Sequence, residues 1–179
     1  MIYMFLAEGF EEIEALCPLD LMRRAELNVT TVGVGGSQIT GAHGITVCSD
    51  MIDTDFSPSD LEMIFLPGGM PGTLNLADSK TVMSALKYAA ENDKYIAAIC
   101  AAPSILGDEG LLQGKSAVCY PGFEDRLIGA TIPEKKVVVD GKLITAKGMG
   151  AALEMGLEII AIFRGKEYAD ELRHTVIAD

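Results

Sequence analysis

A repeated alternation between short apolar runs and segments with helical spacing is the feature that most constrains the fold. The runs are of strand length, and helical segments follow most of them; they are residues 2–7, 29–34, 63–69 and 95–99. Strands that are apolar on both faces are typical of parallel sheets covered by helices on both sides, with right-handed crossovers between the strands. The sequence therefore predicts a flavodoxin-like three-layer α/β sandwich with a mostly parallel sheet.

Local signals refine this prediction at three places. Pro18 interrupts the first helical pattern, so we expect that helix to end after a short first turn or to kink there. The Asp140–Gly141 pair predicts a hairpin turn within residues 136–146. A last amphipathic helix over residues 148–165 should end at Gly165.

Length and charge limit the classes of protein that the chain can belong to. The chain has 179 residues, and at this length we expect residues 1–179 to form a single domain. No apolar run approaches the ~20 residues that a membrane-spanning helix needs, and the N-terminus lacks the basic region of a secretory signal, so we expect a cytoplasmic protein. The net charge of -12 repels phosphate backbones and makes direct nucleic-acid binding unfavourable. Small molecules or proteins are the expected partners.

The cysteines and the glycines near the C-terminus give no sign of a metal or an organic cofactor. The four cysteines lie far apart, without a C-x-x-C motif: Cys17, Cys48, Cys100 and Cys119. Such spacing indicates neither a zinc site nor a disulfide framework. The segment KGMG at residues 147–150 could bind an anion at a helix N-terminus, but Leu153 stands where a dinucleotide fingerprint needs its third glycine. An ordinary helix start is the favoured interpretation.

Three segments follow predicted strands: residues 8–14, residues 67–72 and Cys100. In open parallel sheets, ligands bind beyond the carboxyl ends of the strands. We therefore expect these three segments to converge at one edge of the sheet.

Cys100 lies between small residues at the predicted junction of strand and helix, in the segment AAICAAPS. Small neighbours permit a sharp turn like a nucleophile elbow. If the thiol stands on the first residue of the helix, the unpaired N–H groups and the helix dipole favour the thiolate and lower the pKa. Cys100 is thus a candidate nucleophile or redox sensor; the alternative is that it is a small buried apolar residue.

Nearby residues suggest what would surround the sulfur. Gly68 and Gly69 could present N–H groups to an oxyanion, or form an ordinary turn after a strand. Glu11 and Glu12 are expected to stay solvated at the helix start. Glu14 has apolar neighbours in the sequence, so its carboxyl could turn inward, gain a raised pKa and donate a hydrogen bond to a thiolate.

Histidine is scarce, and only His43 and His174 are present. A Cys-His protease needs an imidazole within hydrogen-bond reach of the sulfur. His43 lies in a glycine-rich loop and His174 in a polar C-terminal stretch, and neither is placed for that role by the sequence. A Cys-His dyad is therefore disfavoured.

Four segments, spread over about residues 2–170, resemble the ThiJ/PfpI superfamily: GFEEIEA, LPGGMPG, AAICAAPSIL and ITAKGMGAALEMGLEII. Within that superfamily the match is to the subfamily of the Parkinson-disease protein and its bacterial relatives. The resemblance implies a flavodoxin-like fold with an elbow similar to that of class I glutamine amidotransferases, and a homodimer joined partly through the first helix. It implies that Cys100 is the reactive, easily oxidised cysteine, that Glu14 touches its sulfur, and that Gly69 and the N–H of Ala101 form the oxyanion pocket.

The resemblance also marks two secondary positions, Arg24 and Tyr120, and the sequence itself offers Cys119 as a third. Arg24 lies in MRRAE, which is similar to the family's MRRAG, and it either binds anions near the dimer seam or is a solvated residue at a helix end. Tyr120 stands where relatives have a histidine before a proline, which argues against mechanisms that need an imidazole. Cys119 is either a resolving thiol or, as is favoured, part of the core.

The function that the resemblance implies is cysteine-dependent chemistry on a small carbonyl substrate, as in glutathione-independent glyoxalases and deglycases. The alternative is a non-catalytic peroxide sensor or redox-regulated chaperone that uses oxidation of Cys100. A third hypothesis is a purely structural protein with an unreactive Cys100. None of these needs a metal or an organic cofactor.

Overall fold

The structure, a computed structural model, describes residues 1–178. The strands in chain order are β1 (Ile2–Leu6), β2 (Val29–Gly33), β3 (Gln38–Thr40), β4 (Thr46–Cys48), β5 (Met51–Ile52), β6 (Met63–Leu66), β7 (Tyr95–Ile99), β8 (Val137–Asp140) and β9 (Leu143–Ala146). The helices are α1 (Glu12–Arg24), α2 (Gly72–Asp78), α3 (Lys80–Glu91), α4 (Pro103–Asp108), α5 (Ala152–Arg164) and α6 (Lys166–Thr175).

Seven of these strands form one sheet in the order β5-β2-β1-β6-β7-β9-β8, and β3 and β4 form a separate hairpin. All neighbours in the large sheet are parallel except β8, which pairs antiparallel with β9 at the edge. The sheet grows in both directions from β1, so the strand order reverses between β1 and β6. The predicted flavodoxin-like fold is confirmed, and so is the hairpin at Asp140 and Gly141.

Two apolar layers explain why β1, β6 and β7 are central strands. Every residue of β1 and β6 is buried, as are four of the five residues of β7. Side chains from one face of the sheet pack against α1 and α5, and those from the other face pack against α3 and α4. An apolar strand between two such layers removes both of its faces from water, which is what its sequence requires.

Helix α1 continues through Pro18, so the prediction that the helix ends there is wrong. Pro18 lacks the N–H that would bond the preceding turn, but the residue is buried against α5. Its Cα lies 3.2 Å from the point that a Cβ on Gly156 would occupy. This close packing of α1 on α5 holds the helix together where one backbone hydrogen bond is missing.

Backbone hydrogen bonds fasten the loops at the carboxyl edge of the sheet to one another. The N–H of Glu11, after β1, donates to the carbonyl of Gly68, after β6, at 2.9 Å. The N–H of Cys100, after β7, donates to the carbonyl of Ala146, the last residue of β9, also at 2.9 Å. Four strand ends therefore meet at one place, beside the point where the strand order reverses.

Candidate active site

Cys100 lies at a sharp turn directly after β7, with φ at 65°. This left-handed conformation is strained for a residue with a side chain, at a cost of order 1–3 kcal/mol, and it persists only where the surroundings enforce it. Here the N–H of Cys100 donates to Ala146, and its carbonyl accepts from the N–H of Tyr120 at 2.8 Å. The backbone on both sides thus fixes the direction of the thiol, as in a nucleophile elbow.

The thiol does not stand on the first residue of a helix, contrary to the prediction. Helix α4 begins at Pro103, and Ala101 and Ala102 form a tight turn in which the N–H of Ala102 donates to Ile99. The small side chains of these two alanines are buried. The N–H groups that reach the sulfur therefore come from the loops and not from a helix N-terminus.

Glu14 lies beneath the sulfur and is almost wholly buried, with 1% of its surface exposed. Its Oε2 accepts from the N–H of Gly68 at 3.1 Å, and the carboxyl is also hydrogen-bonded to the Cys100 thiol and to the N–H of Met149. Burial raises the pKa of Glu14 to about 7, against the lowering effect of these hydrogen bonds. The carboxyl can therefore both take up and release a proton near neutral pH.

The pKa of Cys100 is raised, which overturns the prediction of a lowered one. Burial is the largest cause; the charge of Glu14 and the hydrogen bond that the thiol donates to it add to the effect, and together they raise the pKa to about 12. The N–H groups of Gly69 and Ala101 act in the opposite direction. Two of the three raising causes require an ionised Glu14 and disappear when its carboxyl is protonated. As pH rises, the carboxyl of the pair therefore ionises first, near pH 7, and the thiol stays protonated beside it.

Gly68 and Gly69 are glycines because side chains would not fit. A Cβ on Gly68 would lie 2.5 Å from both the Cβ of Cys100 and Oε2 of Glu14. Gly69 has φ at 91°, and a Cβ there would lie 2.3 Å from the N atom of Glu11. The absence of side chains lets the N–H groups of Gly69 and Ala101 approach the sulfur and the space above it.

The loop after β9 also reaches the site, and sequence reasoning missed it. The N–H of Met149 bonds the Glu14 carboxyl, and a Cβ on Gly148 would lie 3.6 Å from Glu14 Oε1 and 3.3 Å from the ring of Tyr120. The KGMG segment does begin a helix, as predicted, because a 3₁₀ turn at Met149–Ala151 leads into α5, but its contact with the site was not predicted. Its position after a strand of the parallel sheet was the signal that would have placed it at the site.

Tyr120 stands at the mouth of the site. Half of its surface, 51%, is exposed, and it lines a cavity of about 440 Å³ together with Lys136, Lys147 and the loop 148–151. A phenol occupies the place where the resemblance indicated a histidine. The Tyr120 backbone still supports the elbow through its bond to Cys100.

Arg24 and Cys119 lie apart from this cluster. The Arg24 Nε donates to Asp20 Oδ2 at 2.6 Å, and its side chain is 53% exposed; Arg24 lies ten residues along α1 from Glu14, or about 15 Å at the helical rise. Cys119 is 3% exposed and belongs to the apolar layer that packs against α3 and α4. Burial, with a contribution from Glu124, raises the pKa of Cys119 to about 11.

Glu12 departs from the prediction that it stays solvated. It is 2% exposed, and its carboxylate accepts from the N–H of His43 at 2.8 Å and bonds His43 Nδ1 at 2.9 Å. The N–H of Ile45 also donates to it. Burial alone would raise the pKa of Glu12, but the hydrogen bonds from His43 and the backbone lower it. The partners are distant in sequence, so no local pattern could reveal this contact.

Glu11, Glu12 and His43 also lie close enough together to hold a metal ion, with their ligand atoms within 4.8 Å of one another. Both oxygens of Glu12, however, already bond His43 or backbone N–H groups. The arrangement therefore fastens the loop between β3 and β4 to α1. Within residues 1–178, none of the helices has the length and apolar character needed to cross a membrane.

Comparisons with known proteins agree on one family. The model of the DJ-1/PfpI family matches residues 1–162. Protein DJ-1 homolog B of Arabidopsis thaliana is 36% identical over 93% of this chain, but the match spans only 39% of that protein's own length. A protein of Pyrococcus abyssi named as a deglycase is 32% identical over 80% of this chain and 87% of its own. The solved structure of oxidized Toxoplasma gondii DJ-1 superposes with a TM-score of 0.94 and 32% identity, covering 98% of this chain and 97% of that one.

Proposed function

Because this chain belongs to the DJ-1/PfpI family, we propose that it is a cysteine-dependent enzyme acting on small reactive dicarbonyl compounds, with Cys100 as the nucleophile. One observation carries the proposal: the Cys100 thiol is bonded to the buried Glu14 carboxyl and faces the N–H groups of Gly69 and Ala101. The deglycase-named relative from Pyrococcus abyssi supports this class of reaction. Glyoxalase or deglycase-like activity is the expected form.

In the first step the sulfur adds to the aldehyde carbon of a dicarbonyl. Glu14, as carboxylate, takes the thiol proton while the C–S bond forms and the carbonyl π electrons move to oxygen. The N–H groups of Gly69 and Ala101 then stabilise the negative oxygen. Protonation of that oxygen gives a hemithioacetal.

In the second step the hemithioacetal rearranges without an external oxidant. For methylglyoxal, a base removes the proton from the carbon attached to sulfur, and a proton returns to the neighbouring carbon; Glu14 is suited to both transfers because its pKa of about 7 allows both states. The former aldehyde carbon is oxidised and the former ketone carbon reduced, which gives a 2-hydroxy thioester. Water hydrolyses the thioester to lactate and restores the thiol, so no metal or organic cofactor takes part.

The experiment is to follow methylglyoxal loss and lactate appearance for the wild type and for Cys100→Ser. Cys48→Ser is the matched control, because Cys48 is exposed on β4, which belongs to the separate hairpin and not to the large sheet. We expect turnover by the wild type and by the control, and none by Cys100→Ser. Equal rates in all three proteins would refute the proposal.

A second candidate function is a non-catalytic peroxide sensor or redox-regulated chaperone. It is favoured by the half-buried position of Cys100 and by Tyr120, which leaves the site without an imidazole. Peroxide would oxidise the thiolate to sulfenic and then sulfinic acid, and a protonated Glu14 would donate a hydrogen bond to the product. Mass spectrometry under mild peroxide should find two added oxygens on Cys100, whereas oxidation spread equally over the four cysteines would contradict this candidate.

We further propose a cytoplasmic homodimer joined partly through α1. A reducing compartment would keep the four cysteines as free thiols, as the chemistry requires. Ile13 on α1 and Ile45 in the neighbouring loop are 47% and 53% exposed in the single chain, and a dimer through this face would cover them. Light scattering of the wild type and of Ile13→Asp tests the assembly; a monomeric wild type would refute it.

A further inference from the structure

The cavity of about 440 Å³ beside Tyr120 adjoins the reacting groups. Its lining includes Gly148 and Met149, and these two residues lie against the Glu14 carboxyl. Pockets of about 300–1,000 Å³ accommodate drug-sized ligands, and methylglyoxal is far smaller than that. The cavity therefore has room for a tail attached to the reacting dicarbonyl.

Two lysines, Lys136 and Lys147, give this cavity its charge. Lys147 is half-buried and Lys136 is exposed. Among residues 1–178 neither forms an ion pair with a carboxylate, although the chain has 26 acidic residues against 14 lysines and arginines. Two unpaired ammonium groups at one cavity of so acidic a protein create a local site for an anion.

An anionic substrate needs positively charged groups, such as these two ammonium groups, at a cavity that lies beside Glu14. When Glu14 is ionised, its carboxylate repels a second anion through a partly desolvated medium. The positive charge of the two lysines that line the cavity offsets this repulsion. It also orients the substrate, because the anionic end is drawn to the lysines and the uncharged aldehyde end is left facing the sulfur.

We propose that Lys147, supported by Lys136, selects dicarbonyl substrates whose tail ends in a carboxylate or a phosphate; this inference rests on the proposed function. The tail fills the cavity beside Tyr120, and the aldehyde carbon lies at Cys100. Lys147 is thereby a specificity-determining residue, while the bond-making groups remain those of the elbow.

A pair of probes that differ in one charged group tests this proposal: phenylglyoxal and 4-carboxyphenylglyoxal. We expect the wild type to have a kcat/KM roughly tenfold higher for the carboxylated probe, the effect of one charge-assisted hydrogen bond. In Lys147→Gln this ratio should fall to about one, because the charged hydrogen bond is lost. In Lys147→Arg the ratio should be largely retained, because the arginine side chain is also charged and also donates hydrogen bonds. Lys94→Gln is the matched control, because Lys94 directly precedes β7 and therefore lies at the amino end of that strand, whereas Cys100 follows its carboxyl end.

A binding measurement keeps the test independent of turnover. Calorimetric titration should show that the unreactive 4-acetylbenzoate binds the wild type and that Lys147→Gln weakens this binding, with the effect reduced by added salt. A wild type that consumes phenylglyoxal but neither prefers the carboxylated probe nor binds 4-acetylbenzoate would overturn this inference and leave the proposed function intact. A wild type that consumes neither probe yet binds 4-acetylbenzoate through Lys147 would overturn the proposed function and support the anion site.

Discussion

The carboxyl of Glu14 and the thiol of Cys100 are hydrogen-bonded to each other inside the protein, and burial raises the pKa of both groups. The pair joins the start of α1 to the end of β7, and the N–H of Gly68 bonds the same carboxyl. Glu14 raises the pKa of Cys100, whereas the hydrogen bond from the thiol lowers the pKa of Glu14. The reactivity of the sulfur is therefore set by the protonation state of Glu14.

Glu14→Gln should lower the pKa of Cys100 and also slow turnover. Glutamine removes the negative charge that opposes ionisation of the thiol, so the thiolate forms at lower pH, as measured by its ultraviolet absorbance. Turnover of methylglyoxal should nevertheless fall by roughly 10²–10⁴, the usual contribution of a general acid or base. An unchanged thiol pKa would mean that the two side chains do not interact in solution.

The stability of the wild type relative to Glu14→Gln should decrease as pH rises. The pKa of Glu14 is about 7 in the folded protein, above the 4.5 of a solvated glutamate. The neutral carboxyl is therefore the form that the fold favours, and its contribution is complete below pH 4.5 and is lost as pH rises through 7. We expect the difference in free energy of unfolding to change by about 2–3 kcal/mol between pH 5 and pH 8.

Urea unfolding at the two pH values measures this difference. Glu158→Gln, at an exposed position on α5, is the control for the loss of a glutamate at the protein surface. A parallel pH dependence for the two variants would contradict the assignment of a buried carboxyl to Glu14.

Cys100→Gly should be more stable than Cys100→Ala, the reverse of the order found in regular helices and strands. Alanine retains the strained left-handed conformation at φ 65°, whereas glycine adopts it freely. The expected difference is about 1 kcal/mol in the free energy of unfolding, measured with urea. If alanine is the more stable variant, the elbow is relaxed in solution.

Gly68→Ala should damage the site, while Gly36→Ala should not. A methyl group at Gly68 would come within 2.5 Å of the Cys100 Cβ and the Glu14 carboxyl, whereas nothing lies within 4 Å of the corresponding point at Gly36. Overpacking of this kind costs about 1–3 kcal/mol, and it would also separate the thiol from Glu14. Thermal unfolding and methylglyoxal turnover are the two measurements, and equal behaviour of the variants would refute the packing argument.

His43→Ala should destabilise the protein more at low pH than at high pH. The hydrogen bond and charge of Glu12 raise the pKa of His43 above 6.5. Protonated His43 therefore stabilises the fold fully below pH 6.5, and this stabilisation is lost as the pH rises through the pKa of His43 in the folded protein. Thermal unfolding of variant and wild type at pH 5.5 and pH 9 measures the change. An NMR titration of His43 with a pKa at or below 6.5 would contradict the contact.

The sequence predicted the central strands and the segments that meet at their ends because these depend on local pattern. The apolar runs of β1, β6 and β7 indicate strands buried on both faces, and the rule for parallel sheets then brings Glu14, Gly68 and Cys100 together. The apolar neighbours of Glu14 in the sequence were enough to suggest that its side chain turns inward. These inferences needed no knowledge of distant contacts.

The predictions that were wrong concern features that depend on contacts between residues distant in the sequence. Pro18 remains inside α1 because of its packing on Gly156, and Glu12 is buried because His43 and the loop that carries it fold over it. The raised pKa of Cys100 depends on its depth and on the charge beside it, neither of which is visible in the segment AAICAAPS. Tertiary contacts decided all three.

The bond from the N–H of Cys100 to the carbonyl of Ala146 has a consequence for biosynthesis. The residues that complete the elbow are translated well after the cysteine itself, so a nascent chain that lacks β9 has no partner to hold the thiol in its strained turn. The sulfur would therefore acquire its special chemistry only near the end of synthesis, when the sheet closes. Until then it would behave as an ordinary cysteine, without the burial and the contact with Glu14 that raise its pKa in the folded protein.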